Sequence, residues 1–107
     1  MAAGSQYVIV WEFRIRREVE AEFVERYGSG GAWARWFRSA EGYIRTELVR
    51  DVAEPLRFLT LDYWRSEEEF SRFRAQNAAE YERLDREFES LTEQETRLGG
   101  FWSGIKS

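Results

Sequence analysis

Three side chains that can bind or act on an aromatic ligand lie at alternate positions of one short segment: Thr60, Asp62 and Trp64. Phe58 continues the same alternation, and a repeat of two residues places all four on one face of a strand. Trp64 can stack on a planar ring, Thr60 can orient its oxygens, and Asp62 can accept a proton. In the alternative interpretation, Trp64 covers the corner between strand and helix, and Asp62 accepts backbone hydrogens.

Four further residues are candidates for the same chemistry. Glu12 is an acid in an apolar strand, so it is either a base of raised pKa or the partner of one of the fifteen Arg. Arg45 can stabilise an oxyanion, and Trp36 can form a second stacking wall. Tyr81 can donate a phenolic proton, or it can lie half-buried with its hydroxyl in water.

The sequence has no His and no Cys, and this excludes several classes of site. Catalysis by Ser-His-Asp or Cys-His, His-ligated zinc or haem, thiolate metal sites and disulfides all require these residues. Acids and bases must come from Asp, Glu, Tyr, Lys or Arg. The three Asp residues are not arranged as a metal-binding loop. We therefore predict that the protein uses no metal and no cofactor.

The composition is that of a single acidic domain. The 107 residues carry a net charge of −4, with both signs interspersed, which argues against nucleic-acid binding. Residues 1–6 have no basic region, and the apolar run after them is short, so we expect neither a secretory signal nor a membrane segment, and a cytoplasmic location. We expect a flexible N-terminus at 1–6, one domain at 7–103 and a C-terminal tail at 104–107.

The hydrophobic pattern predicts four strands and two helical regions. Ser66 with Glu69 forms a capping box that marks a helix start immediately after the third strand. The predicted strands are 7–16, 43–50, 56–64 and 93–103, and the predicted helical regions are 18–39, with a break at Gly28–Gly31, and 66–91, with a bend at Asn77. This β-α-β-β-α-β order predicts a ferredoxin-like α+β fold, in which a four-stranded antiparallel sheet carries helices on one face.

Glycines and one exposed surface complete the prediction. Gly42 is expected to end the first helical region in a left-handed conformation, and Gly99-Gly100 to form a bulge or a close backbone approach. One sheet face has no helix to cover it, and both faces of the third strand are too apolar to face water: Leu59, Leu61 and Tyr63 lie on one side, and Phe58 and Trp64 on the other. We therefore expect a homodimer that buries sheet against sheet.

The chain resembles the antibiotic biosynthesis monooxygenase-like family over nearly its whole length. The resemblance implies a dimeric α+β barrel with a pocket between sheet and helices, on the side of the strand face that includes Trp64. The motifs that carry it are Val10–Phe13, Gly28–Phe37, Gly42-Tyr43 with Thr46–Asp51, Asp62–Phe70, Glu80–Asp85 and Glu95–Phe101.

The family includes haem-degrading enzymes and cofactor-free, quinone-forming oxygenases. The former use a first-strand Asn, a third-strand Trp and a helical His, of which this sequence has only Trp64. The resemblance therefore implies a cofactor-independent monooxygenase that acts on an aromatic phenol or quinol. Two alternatives stay open: a dimer that binds a small ligand or serves as an accessory protein without catalysis, and an isomerase or dehydratase on the same scaffold.

Overall fold

A computed structural model describes residues 5–106 and contains four strands and four helices. The expectations for residues 1–4 and 107 lie outside this range, and the first strand already begins at Gln6. The elements are β1 (Gln6–Arg14), α1 (Glu20–Tyr27), α2 (Ala32–Phe37), β2 (Tyr43–Arg50), β3 (Arg57–Trp64), α3 (Glu67–Gln76), α4 (Ala78–Phe88) and β4 (Gln94–Ser103). Short 3₁₀ turns at Arg17–Val19 and Glu89–Leu91 precede α1 and follow α4.

The sheet has the predicted topology. Its strand order is β2-β3-β1-β4, and all three pairings are antiparallel. The hairpin of β2 and β3 is therefore present, and β1 lies in the centre between β3 and β4. Helices cover one face, which confirms the ferredoxin-like α+β architecture.

Local signals in the sequence set the ends of the helices. Ser66 Oγ accepts a 3.2 Å hydrogen bond from the backbone N–H of Glu69, as an N-cap should. Asn77 separates α3 from α4, because its side chain donates to the Phe73 carbonyl at 2.9 Å and its backbone leaves the helical conformation. Gly42 has φ = +93°, which is the predicted left-handed position before β2.

Two strands contain bulges. The pairing of β2 with β3 shifts register between Tyr43 and Arg45, and that of β4 with β1 shifts next to Gly99, whose φ is +144°. Gly100 lies against the ring of Tyr7, where a Cβ atom would come within 2.6 Å of the tyrosine oxygen. The predicted irregularity at Gly99-Gly100 is thus both a bulge and a close approach.

Two aromatic clusters fill the space between sheet and helices. The larger one surrounds Phe13, Phe23 and Phe58, and the second surrounds Ile9, Phe37 and Trp64. The two clusters meet at Trp11 of β1 and at Trp33 and Trp36 of α2.

The opposite face of the sheet is uncovered in this single chain. Its side chains are the alternate residues of each strand, and several are apolar and exposed, among them Val49 at 42% and Phe101 at 50%. None of the helices within residues 5–106 is long and apolar enough to cross a membrane.

Candidate active site

A cavity between the sheet and the helices contains the groups that could carry chemistry. The cavity has a volume of about 50 Å³, which is room for a few water molecules. Its floor comes from β1, β2 and β3, its roof from α2 and α4, and its other end from Tyr27 of α1 and Glu95 of β4. The lining residues are Trp11, Phe13, Tyr27, Trp33, Phe37, Thr46, Thr60, Asp62, Tyr81, Asp85 and Glu95.

Asp62 is the ionisable group on the floor of the cavity. It points toward the helices because it alternates with the open-face residues of β3, and it pairs with Ile9 of β1 on one side and Thr46 of β2 on the other. None of the salt bridges formed within residues 5–106 includes Asp62. Burial raises the pKa of Asp62 to about 6, although a hydrogen bond from Thr46 partly opposes this shift.

A hydrogen-bonded chain links Asp62 to the outer part of β2. Thr46 Oγ1 donates to Asp62 Oδ1 at 2.6 Å, and Tyr43 Oη lies 2.7 Å from Thr46 Oγ1. Tyr43 and Thr46 are three residues apart, so in a regular strand they would face opposite sides. The bulge around Ile44 brings both onto the helix side.

The roof is formed by aromatic side chains of α2 and α4. The ring centroids of Trp33 and Tyr81 are 5.3 Å apart, and burial raises the pKa of the Tyr81 phenol. Trp33 Nε1 is buried and has no hydrogen-bond partner among the described residues. Its N–H makes only a poorly aligned contact with the Tyr27 hydroxyl, which opposes the rise of the Tyr27 pKa caused by burial, so a ligand or water could satisfy this donor better.

The segment before α2 is held by hydrogen bonds as well as by glycines. Arg35 donates to the carbonyl of Gly30 at 2.7 Å, and Arg38 donates to that of Ser29 at 3.1 Å. At Gly31 a Cβ atom would come within 2.3 Å of the Arg26 carbonyl oxygen, so the break between α1 and α2 requires glycine there. The roof thus has a defined position over the cavity.

Two more carboxyl groups line the other part of the cavity. Glu95 of β4 accepts a 2.9 Å hydrogen bond from the Thr92 hydroxyl, and Asp85 lies one helical turn after Tyr81 on α4. Burial raises the pKa of Glu95, and the nearby charge of Asp85 adds to the effect. No Arg or Lys of the described chain is among the lining residues, so every ionisable group that can be charged at neutral pH is an acid.

Glu12 and Arg45 lie on the open face of the sheet, away from the cavity. Glu12 accepts a 2.5 Å hydrogen bond from Arg57 Nε, and Arg57 also contacts Asp51 at 2.8 Å. This agrees with the interpretation that Glu12 is a paired acid. The Arg45 guanidinium stacks on the Tyr63 ring at 3.8 Å. Their position differs from the expectation that they join Asp62, because both belong to the other alternation of their strands.

Trp64 and Phe58 are packed in the core and do not line the cavity. Trp64 is fully buried, with the rings of Phe70 and Phe37 at 5.2 and 5.6 Å. Trp36 is one layer behind the roof, where its ring contacts that of Phe73 at 4.9 Å. The expected stacking walls are therefore replaced by Trp11, Trp33 and Phe37. Thr60, Asp62 and Tyr81 line the cavity as expected.

Sequence reasoning missed Thr46, Asp85 and Glu95 as members of the site. A spacing of four residues from Tyr81 places Asp85 on the same face of α4, and this signal was present in the sequence. Thr46 is opposite Asp62 only after a bulge that no sequence pattern marks. Glu95 faces the cavity through its pairing with Phe13, which depends on the register of β4.

The site offers no ligand set for a metal. Within residues 5–106 no three Asp or Glu side chains are close enough together to hold a metal ion. The sequence contains neither His nor Cys, so a haem iron has no axial ligand of those kinds.

Comparison with solved structures shows the same fold in other proteins. SnoaB, a cofactor-independent oxygenase from Streptomyces nogalater crystallised as a mutant, has a TM-score of 0.68 at 17% identity over 94% of this chain and 95% of its own. The protein PA3566 of Pseudomonas aeruginosa has a TM-score of 0.64 at 16% identity over 100% of both chains. A Nitrosomonas europaea protein assigned to the antibiotic biosynthesis monooxygenases has 0.66 at 13% identity over 98% and 94%.

The sequence comparison identifies the family. No curated protein sequence matches this chain significantly. A family model described as antibiotic biosynthesis monooxygenase, however, matches residues 6–81, which include β1 to β3, α1 to α3 and the start of α4. The chain therefore belongs to the antibiotic biosynthesis monooxygenase family.

Proposed function

We propose that this chain is a cofactor-independent monooxygenase that oxidises an aromatic phenol, quinol or anthrone with dioxygen. The observation that carries the proposal is Asp62: a carboxyl group in an aromatic cavity, without a cationic partner and with its pKa raised by burial to about 6. A base with a pKa near the working pH is suited to proton abstraction from a weak acid.

The reaction needs no bound metal, because the substrate supplies the electrons. Asp62 takes a proton from the substrate, and the resulting carbanion or phenolate reduces dioxygen and combines with it to form a peroxide. Return of the proton and loss of water leave the carbonyl of a quinone. For an anthrone CH₂ group the balance is R₂CH₂ + O₂ → R₂C=O + H₂O, so one oxygen atom enters the product and the other enters water.

The lining of the cavity supports a neutral substrate. Asp62, Asp85 and Glu95 are its charged groups, and they would repel a carboxylate or phosphate of the ligand. The aromatic rings of Trp11, Trp33 and Phe37 would pack against a planar ring system. The unpaired Trp33 Nε1 would donate to a ketone or phenol oxygen.

A two- or three-ring substrate requires more room than the cavity has at present. About 50 Å³ holds water but not an anthrone. The roof residue Trp33 lies on α2, a helix of only six residues, whereas the floor belongs to the central sheet. We infer that binding displaces the roof and that its return excludes water from the reactive intermediate.

We also propose that the functional unit is a homodimer. The open sheet face carries apolar residues on every strand, and Phe101 and Val49 are exposed in the single chain. A second copy would cover this face and close an α+β barrel, while leaving the cavities on the outer, helical sides.

Oxygen consumption tests the proposed activity. Purified protein is mixed with anthrone or 1-naphthol, each of which takes up one oxygen atom on oxidation to its quinone, and oxygen uptake is compared with the uncatalysed rate. We expect uptake with at least one of them and a loss of 10²- to 10⁴-fold in kcat for Asp62→Asn, the range for a general base. Glu12→Gln is the matched control, since it makes the same change outside the cavity, and it should retain the rate. Equal activity of Asp62→Asn and the unmodified protein would refute the assignment.

The small cavity favours one other candidate, a dimer that binds a ligand without turnover. In that case the same compounds would quench the fluorescence of Trp33 or Trp11 but would not consume oxygen. An isomerase would convert its substrate at equal rates with and without oxygen.

A further inference from the structure

Thr46 lines both the buried cavity and a separate cleft at the protein surface. Its side chain lines the buried cavity beside Asp62, and the residue also lines an outer cleft together with Ser29, Arg38 and Tyr43. The cleft is open to solvent on the side of β2, the edge strand of the sheet. One buried threonine therefore separates the candidate base from the outside.

The directions of the hydrogen bonds follow from the number of hydrogens available. A threonine hydroxyl has one hydrogen, and that of Thr46 is donated to the ionised Asp62. Since Thr46 can then only accept, the hydroxyl of Tyr43 must be the donor in the 2.7 Å contact between them. When Asp62 is protonated, the carboxyl group can donate instead, and the whole chain can reverse.

The backbone of β2 holds Tyr43 and Thr46 in the positions that this chain of hydrogen bonds requires. The register shift at Ile44 places Tyr43 and Thr46 on the same side of β2. The ring of Tyr43 is held between Phe37 and Trp64, at centroid distances of 5.7 and 5.5 Å. The phenol is thus fixed by packing, so its hydroxyl stays next to Thr46.

We propose that Tyr43 and Thr46 form a proton relay that connects Asp62 with solvent in the cleft beside β2. The proton on Asp62 passes to Thr46 Oγ1, the original Thr46 proton passes to Tyr43 Oη, and the Tyr43 proton passes to water. Rotation of the two hydroxyls resets the chain. Tyr43 and Thr46 act through Asp62, so they are relay residues rather than catalytic ones.

The need for such a relay rests on the proposed function. A substrate that fills the cavity would keep bulk water away from Asp62. The balanced reaction releases no net proton, because the proton that Asp62 takes can return to the peroxide; the relay removes a proton that stays on Asp62 and supplies one when the carboxylate must donate. A relay through the opposite wall permits both transfers while the cavity is closed.

Four variants test the relay by a measurement that needs no substrate. After a rapid pH jump, the infrared carbonyl stretch of protonated Asp62 is followed in time, with the band identified by its absence in Asp62→Asn. Thr46→Val and Tyr43→Phe each remove one hydroxyl at nearly constant shape, and Thr46→Ser keeps the hydroxyl. We expect protonation to slow at least tenfold in the first two variants and to remain normal in Thr46→Ser.

The same variants are then assayed for oxygen uptake. We expect Thr46→Val and Tyr43→Phe to lower kcat at unchanged KM, with partial recovery at high concentrations of a small buffer that can enter the cavity. Equal protonation rates in all folded variants would overturn the relay. If the protonation rates differ as expected but the unmodified protein consumes no oxygen, the relay stands and the proposed oxygenase activity fails.

Discussion

Thr46 Oγ1 lies 2.6 Å from Asp62 Oδ1, and the two residues are directly opposite each other in the pairing of β2 with β3. This bond stabilises the ionised carboxylate, whereas burial favours the neutral acid, and burial is the stronger effect. The pKa of Asp62 therefore remains high enough for the group to exchange protons near neutrality. A salt bridge in place of the hydroxyl would have held it ionised.

The raised pKa of Asp62 predicts a specific dependence of stability on pH. A carboxyl group with a higher pKa in the folded state than in the unfolded state destabilises the fold when it ionises. The free energy of unfolding should thus fall as the pH rises from about 4 to about 7, by at most about 3 kcal/mol, since one pKa unit corresponds to about 1.4 kcal/mol. Below that window the contribution is absent.

Urea unfolding of the unmodified protein and Asp62→Asn between pH 4 and pH 8 isolates this contribution. Other acids, including Glu95, affect both proteins equally, so the difference between the two curves belongs to Asp62. The variant should gain stability relative to the unmodified protein as the pH rises from about 4 to about 7, with most of the gain below about 6. A difference that stays constant over the whole range would mean that the pKa of Asp62 is not raised.

Trp33→Phe should weaken ligand binding without unfolding the protein. The substitution keeps an aromatic ring in the roof and removes the buried indole N–H that has no partner within residues 5–106. If this group donates to a ligand oxygen, its loss should raise KM about 5- to 10-fold, the equivalent of one hydrogen bond. Trp36→Phe, one layer behind the roof, is the control. Equal KM values for both variants would show that Trp33 does not contact the ligand through nitrogen.

The acidic lining predicts discrimination by charge. We expect 1-naphthol to be oxidised with at least a tenfold higher kcat/KM than the same naphthol carrying a carboxylate, because Asp85 and Glu95 repel a negative ligand. Glu95→Gln should reduce the difference. A preference for the carboxylated compound would contradict the proposed orientation of these acids toward the ligand.

The open sheet face predicts a dimer that a single charge can disrupt. Phe101→Glu places a carboxylate in the apolar face and should convert a dimer at micromolar concentration into a monomer, measured by light scattering. Val52→Glu is the control, since Val52 is fully exposed in the turn between β2 and β3. A monomeric mass for the unmodified protein at micromolar concentration would contradict the proposed homodimer.

The order of elements was readable from the sequence because each boundary has a local cause. Ser66 with Glu69 marks the start of α3, and Asn77 and Gly42 mark a break and a stop, as the hydrogen bonds and the φ value show. Alternation in β3 placed Asp62 and Thr60 on one face of the strand, and the family resemblance implied that this face lies toward the helices, where the structure has it. These features depend on residues close together in sequence.

The composition of the site depended on contacts that a local pattern does not specify. Glu12 was assigned to the site as an acid in an apolar strand, but its partner Arg57 is 45 positions away in sequence. Trp64 was assigned to a wall, although rings from α2 and α3 enclose it. Thr46 reached Asp62 through a bulge, which shifts the alternation of β2 by one residue.

The most direct test of the central claim is a carbon NMR titration of the Asp62 carboxyl group, with and without saturating 1-naphthol. We predict a pKa near 6, and a change in both its chemical shift and its pKa when the phenol binds beside it. Asp62→Asn identifies the signal by its loss. A pKa near 4 that does not respond to the phenol would contradict Asp62 as the base of this site.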